Sequence, residues 1–335
     1  MRLWNVSEPI VRLRIVRDHP PIADVGDPGR EIVIHRYPSS STNLSAVPCS
    51  APYRYTNDIN EADVVIWSNT VPGIIAKYKF YPSKADQLHA LFALESFANY
   101  RPNAAFDYYM TYELDSDVPL AYAYDFMDLK APAIPFAEKR SDALAAAFIT
   151  NCDAKNNRLQ VLKELMRYIP IHSYGKCLNN MPLDRSKGID RWAQKASIIR
   201  QYKFSIAFEN SNSQDYVTEK YFQALEAGSV PIFLGTDTFR SSFMPHPYSA
   251  IVVEEFDSIR QLADYLVWLD EHPSEYEKYL EWKELDYTPY FGSLLDIGRS
   301  DAVCRLVRFL KNNYTNTFVR EYVHIPPLLS VNAEQ

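Results

Sequence analysis

Residues Phe204 to Gly235 read FSIAFENSNSQDYVTEKYFQALEAGSVPIFLG, and this stretch leaves the chain little choice of fold class. FSIAF and VPIFLG are short apolar runs of the kind that form strands buried on both faces of a parallel sheet. Between them, ENSNSQD places seven polar residues in a row, which marks a loop and not a core element. Helical periodicity begins at about Tyr216 and stops at Gly228, a natural residue just past a helix C-terminus. In open α/β sheets ligands bind at the carboxyl ends of the strands, so the polar loop is expected to carry the site.

The chemistry of that loop suits a nucleotide sugar. Asn210 and Ser211 offer neutral hydrogen bonds at the strand end. Tyr216, Glu219 and Lys220 follow at i, i+3 and i+4 and are expected to share one face of the first helical turn. The free N–H groups of a helix N-terminus favour an anion, and Lys220 adds a positive charge. Glu219 can accept from sugar hydroxyls, and Tyr216 can stack or donate. The same residues also fit an ordinary capped helix, with Asp215 or Ser213 as cap and Glu219 as its capping-box partner.

The pattern FENSNSQDYVTEK, helix, AGSVPIFLG resembles the signature of the family 10 α-1,3-fucosyltransferases, which use GDP-fucose. DSDVPLAYAY at 115–124, ALAAAFITNCDAKNNRLQVLKELM at 143–166 and HSYGKC at 172–177 are most similar to plant-type and lower-eukaryote members that fucosylate the N-glycan core. The resemblance extends roughly from Leu91 to Cys304; the first ninety residues match only loosely. It implies a GT-B architecture, two Rossmann-like domains facing a cleft, and the Golgi-lumen address of a type II membrane protein. No apolar stretch here approaches the length of a membrane span, so any membrane attachment would run through an anchor absent from this sequence.

Composition agrees. At 335 residues the chain exceeds what one core usually organises, and its net charge of −7 argues against a nucleic-acid partner, which calls for a basic face. The partners expected are GDP-fucose and an N-glycan or glycoprotein acceptor. Asn5, Asn43 and Asn313 head glycosylation sequons, in keeping with a luminal protein. The four cysteines, Cys49, Cys152, Cys177 and Cys304, match no zinc spacing. Cys152 and Cys177 end consecutive strand-like runs of one parallel sheet, which predicts a disulfide between them; two buried thiols are the other reading. Cys304-Arg-Leu-Val lacks the second cysteine of the C-x-x-C that closes plant-type relatives.

The chain divides near Pro132–Ser141, a linker-like segment with prolines and a charged cluster. Residues 1–140 are expected to form an acceptor-binding domain, 141–290 the GDP-fucose-binding Rossmann-like domain and 291–335 a C-terminal helical tail. The donor domain reads as strand Ala145–Thr150, helix Lys155–Tyr168, strand Pro170–Tyr174, helix Ile189–Tyr202 and FSIAF. It continues with helix Tyr216–Ala227, strands Val230–Leu234 and Ala250–Val253, helix Ser258–Leu269 and a helical run His272–Leu285. The N-terminal part shows strands Glu31–His35 and Asp63–Ile66 and a helix Pro82–Leu88.

Inverting transfer to a hydroxyl calls for one carboxylate as general base and a stabilised leaving group. Glu95, in LFALESFANY after an apolar run, matches by resemblance the glutamate assigned as base; on its own it also reads as a solvated strand-end acid. Lys220 and Arg158 are the leaving-group candidates, guanidinium being well matched to phosphate oxygens, although a helix-surface arginine is the ordinary alternative. Asn151 is a weaker donor-site candidate, since strand-end asparagine often only forms a turn. Asp115-Ser-Asp117 imitates a metal-binding DxD, but lies away from the phosphate loop and is expected to cap and pair. The seven histidines form no close cluster, so no metal is assigned and no cofactor is expected to be essential, with manganese or magnesium at most stimulatory. The expected reaction is inverting transfer of L-fucose from GDP-fucose to the 3-hydroxyl of N-acetylglucosamine, most simply the Asn-linked core residue. The alternatives are a Lewis-type enzyme acting on antennal N-acetyllactosamine and a non-catalytic glycan- or nucleotide-binding protein.

Overall fold

The computed structural model describes residues 29–37, 48–68, 86–99, 106–183 and 190–311. All three sequons lie outside them. Two five-stranded, wholly parallel sheets organise the chain. The first has the order β2-β1-β3-β4-β5, from β1 (Ile32–Tyr37), β2 (Tyr53–Tyr55), β3 (Val64–Ser68), β4 (Leu88–Ala93) and β5 (Tyr108–Thr111). The second has the order β10-β9-β8-β6-β7, from β6 (Ala145–Ala147), β7 (Ile171–Ser173), β8 (Phe204–Phe208), β9 (Val230–Leu234) and β10 (Ile251–Val252). Two such α/β units meeting at a cleft give the GT-B arrangement.

Strand periodicity builds both cores. Val64 and Ile66 of β3 enter one apolar cluster while Val65 and Trp67 enter another on the opposite face. Phe204, Ile206 and Phe208 of β8 face one layer and Ala207 the other. The helices α1 (Arg158–Leu165), α2 (Arg191–Ile199), α3 (Glu219–Ala227), α4 (Phe239–Ser242), α5 (Ile259–Glu271) and α6 (Pro273–Glu277) flank the second sheet. Gly228 ends α3 in the left-handed region at φ 67°. Its N–H donates to the Leu225 carbonyl and the Ser229 N–H to that of Ala224, which satisfies the last carbonyls of the helix.

Two further helices, α7 (Pro289–Arg299) and α8 (Ala302–Leu310), close the chain onto itself. On α8, Val303, Leu306, Val307 and Leu310 form a stripe that packs with Ile32, Ile34, Val64 and Ile66 of the first sheet. Arg305 is buried there and donates to the Pro119 and Ile297 carbonyls at 2.6 and 3.3 Å. A disulfide joins Cys49 to Cys304, and a second joins Cys152 to Cys177 with Cα atoms 5.6 Å apart. The second is the pairing expected from adjacent strands β6 and β7.

Several expectations change. The Pro82–Leu88 helix does not reach Leu88, which begins β4; residues 82–85 lie outside the described residues. Asp63 precedes β3 and accepts from the Val33 N–H at 2.9 Å. The run His272–Leu285 breaks into α6 and a 3₁₀ turn, Glu281–Lys283, because Lys283 turns inward to donate to the carbonyls of Leu129, Ala131 and Leu225. The linker-like segment is no free tether either: Lys139 is buried in it and donates to the carbonyls of Arg200, Tyr202 and Gly228. Among the described residues no helix is long and apolar enough to cross a membrane.

Candidate active site

The polar run after β8 is a loop, but part of it is buried: Glu209 is 0 %, Ser211 2 % and Asp215 1 % exposed, while Asn212 stays exposed and the other three are half-buried. It lies between the two units, so its polar atoms find partners inside the protein. Glu209 continues β8, with its N–H on the Leu234 carbonyl at 2.8 Å. Its Oε1 accepts from the Thr218 N–H at 2.7 Å, and its Oε2 from Lys220 Nζ at 3.1 Å. A carboxylate is thus seated at the start of α3, where the helix end favours negative charge.

Helix α3 starts at Glu219 with Thr218 as its N-cap residue. Tyr216 therefore precedes the helix and does not share a helical face with Glu219 and Lys220. Lys220 Nζ also takes in Thr218 Oγ1 at 2.6 Å and Glu219 Oε1 at 3.4 Å. Burial alone would lower the Lys220 pKa, but Glu209 and Glu219 outweigh it and hold the ammonium above its ordinary value. Burial pushes the Glu209 carboxyl up, against the pull of Lys220. The Glu219 carboxyl is opposed by burial yet held low by Lys220 and Lys195. Lys195 itself, on α2, is drawn down to about 8 by burial; it lies 5.6 Å from the Phe148 ring centroid.

Across the cleft, β4 delivers Glu95 to the first sheet's edge. Its Oε1 accepts from Asn99 Nδ2 at 2.8 Å, Tyr216 OH at 3.0 Å, Asn210 Nδ2 at 3.1 Å and the Ser96 N–H at 3.1 Å. Burial raises the carboxyl pKa, but these donors outweigh it and hold it below the usual carboxylate value. The structure therefore gathers Glu95, Asn210 and Tyr216 at one point, with Asn210 and Tyr216 directed at the carboxylate. Asn210 Oδ1 is buried and has no partner among the described residues.

The two units are stapled beside this point. Asp215 adopts φ 60°, a left-handed backbone that aspartate tolerates better than most residues. Its Oδ2 accepts from the Leu114 N–H of the first unit at 3.0 Å, and its Oδ1 from Thr238 Oγ1 at 2.7 Å. Ser211 Oγ donates to Ser96 Oγ at 2.6 Å, and Ser96 and Ser213 hydroxyls lie 2.8 Å apart. Nearby, Asp117 of the DxD look-alike accepts from the Tyr109 N–H at 2.8 Å, which is a structural use of that carboxylate.

Arg158 opens α1 and is 2 % exposed. Its Nη1 donates to the Phe208 carbonyl at 3.0 Å and its Nη2 to the Asn151 carbonyl at 2.8 Å. It is thus no surface arginine: it holds the carboxyl ends of β6 and β8 together, and its buried Nε lacks a partner among the described residues. Asn151 is exposed and its side chain accepts from the Asp153 N–H at 3.0 Å, a local turn. Glu209 and Asn99 escaped the sequence reading, and Asp215, expected as a cap of α3, instead bridges the two units, the N-cap being Thr218. Glu209 had one local signal, an acid immediately following the apolar run FSIAF; the partners of the other two lie in distant segments or depend on loop geometry.

Residues 138–324, more than half of the chain, match the model for the C-terminal part of glycosyltransferase family 10 (fucosyltransferase). Over 207 residues the chain is 39 % identical to a putative fucosyltransferase-like protein of Arabidopsis thaliana, covering 61 % of this chain and 38 % of that protein. Over 222 residues it is 35 % identical to GDP-fucose protein O-fucosyltransferase 3 of Canis lupus familiaris, covering 60 % and 46 %. The chain thus spans less than half the length of these curated relatives. A crystal structure of an α1,3-fucosyltransferase with GDP superposes with a TM-score of 0.56 over 89 % of this chain and 94 % of that one, at 19 % identity, a likeness of fold. Sequence signature, family match and architecture agree: the chain belongs to glycosyltransferase family 10, the fucosyltransferases.

Proposed function

We propose that this chain transfers L-fucose from GDP-fucose to an acceptor hydroxyl with inversion at the anomeric carbon. The observation that carries the reading is the Glu95 carboxylate, held ionised at the cleft and hydrogen-bonded across it to Asn210 and Tyr216. As the acceptor oxygen attacks the anomeric carbon, its proton passes to Glu95 while the bond to GDP breaks. Lys220, at the start of α3, and Arg158, at the strand ends, supply positive charge on the donor side. Glu219 and Asn151 border the same region and remain donor-binding proposals. With those cations in place no metal is required, and manganese or magnesium would at most stimulate. The acceptor we propose is the 3-hydroxyl of the Asn-linked core N-acetylglucosamine. A second reading, a hydroxyl of the protein itself, draws on the mammalian relatives named protein O-fucosyltransferase. Two disulfides suit an oxidising compartment, and we propose the Golgi lumen.

The test is GDP release from GDP-fucose with chelator present, offered a core N-glycan, N-acetyllactosamine, a folded glycoprotein and no acceptor. Acceptor-dependent release with a fucosylated product establishes the activity, and the productive acceptor identifies the hydroxyl. GDP binding without release on any acceptor would overturn the proposal in favour of a binding protein.

A further inference from the structure

All the hydrogen bonds of Glu95 fall on one oxygen. Asn99 Nδ2, Tyr216 OH, Asn210 Nδ2 and the Ser96 N–H converge on Oε1 at 2.8 to 3.1 Å, while Oε2 has no donor among the described residues. Four donors around one carboxylate oxygen fix the side-chain rotamer and leave the second oxygen as the vacant acceptor. The shortest of the four comes from Asn99, four residues on in the loop after β4. That loop is closed by the Asn99 N–H on the Ser96 carbonyl at 2.9 Å, so the Asn99 amide is held in place. Tyr216 arrives from the opposite unit, its ring packed edge-on against Tyr112 at 5.0 Å.

Resting on the reading of Glu95 as general base, we propose that Asn99 is a positioning residue for fucosyl transfer: with the Tyr216 hydroxyl it clamps Oε1, so that Oε2 alone receives the acceptor proton. The clamp also keeps the base ionised, since each donor favours the carboxylate over the acid. The titratable groups that feel the charge of Glu95 are Tyr216 and Tyr122, both phenols raised above their ordinary value mainly by burial, and Arg158. No hydrogen bond joins Asn99 to any of these three, so its removal acts on Glu95.

The test follows the Glu95 side-chain carboxyl by carbon NMR in ¹³C-glutamate-labelled protein, its signal assigned by loss in Glu95→Gln, together with the pH profile of GDP release. In Asn99→Ala the Glu95 titration and the acid limb of kcat/KM are expected to move up by about one pH unit. The value of kcat falls about tenfold with KM for GDP-fucose unchanged. Tyr216→Phe, which keeps the ring packing, shifts both in the same direction. If Glu95→Gln turns over normally, the reading of Glu95 as base falls and the inference with it. If Glu95→Gln is inactive while Asn99→Ala and Tyr216→Phe leave the Glu95 titration and kcat unchanged, the inference falls and the base stands.

Discussion

At the scale of single residues, the site is a set of charges held in opposite protonation tendencies. Glu95 is kept low by donors although burial opposes it, and Glu209 is pushed up by burial. On the proposed role of Glu95 as base, which must be deprotonated to act, activity is expected to be lost as pH falls through the Glu95 pKa. Because that pKa lies below the ordinary value, the acid limb belonging to Glu95 is expected below the usual glutamate range in a pH profile of kcat/KM. Glu95→Gln should lower kcat by at least ~10²-fold, while GDP-fucose affinity by calorimetry stays within about threefold. In the proposed function Lys220 serves two purposes, and one substitution tests both. Lys220→Ala removes the proposed donor-side cation and also leaves the fully buried Glu209 without its counter-charge. Donor affinity and turnover should fall together, and unfolding free energy in denaturant should drop by about 3 kcal/mol. Adding Glu209→Gln should return much of the stability and none of the turnover.

At the scale of elements, the polar loop between β8 and α3 works because its neighbours absorb its hydrogen bonds. Asn156 Nδ2 reaches the Glu209 carbonyl at 3.0 Å and Asn212 Oδ1 at 2.7 Å, and the Lys155 N–H reaches the Asn210 carbonyl at 3.0 Å. The loops after β6 and β8 are thereby joined, with Arg158 beneath them. At the other end of α3, Gly228 has φ 67°, and a Cβ there would stand 2.6 Å from the Ala133 Cβ. Gly228→Ala combines backbone strain with a clash and should reduce stability by roughly 2 kcal/mol, read as a lowered Tm.

At the scale of the whole molecule, the last described helix is tied to the first unit. The Cys49–Cys304 disulfide spans 255 residues and fastens α8 to the first sheet. Closing so long a loop restricts the unfolded chain strongly, and loss of such a bridge is commonly worth about 2–5 kcal/mol. Replacing both cysteines by serine should therefore lower unfolding free energy by that order in denaturant titration. Transfer should be retained where the fold persists, because the bridge is remote from Glu95 in sequence and joins no site residue. The Asp215–Leu114 bond and the serine cluster do a different job: they hold the unit that brings Glu95 against the unit that brings Tyr216.

The sequence by itself determined the β8–loop–α3–β9 unit, its αL glycine and the Cys152–Cys177 pairing. Each is written in local periodicity, turn chemistry or the adjacency of consecutive parallel strands. The loop chemistry singled out Asn210 and Tyr216, and the family resemblance Glu95, before any coordinates; the structure brings the three together. The long-range arrangement came only with the tertiary structure. Polar runs read as surface, yet Glu209, Ser211 and Asp215 of ENSNSQD are buried, because burial depends on what packs above them and hydrogen bonding there replaces water. The start of α3 moved from Tyr216 to Glu219 because the Glu209 carboxylate takes the Thr218 N–H, and Tyr216 is drawn instead to a carboxylate 121 residues away. That carboxylate's donors, the Asp215 staple 101 residues from its partner and the 255-residue disulfide link segments that no local pattern connects; chain closure in three dimensions decided them.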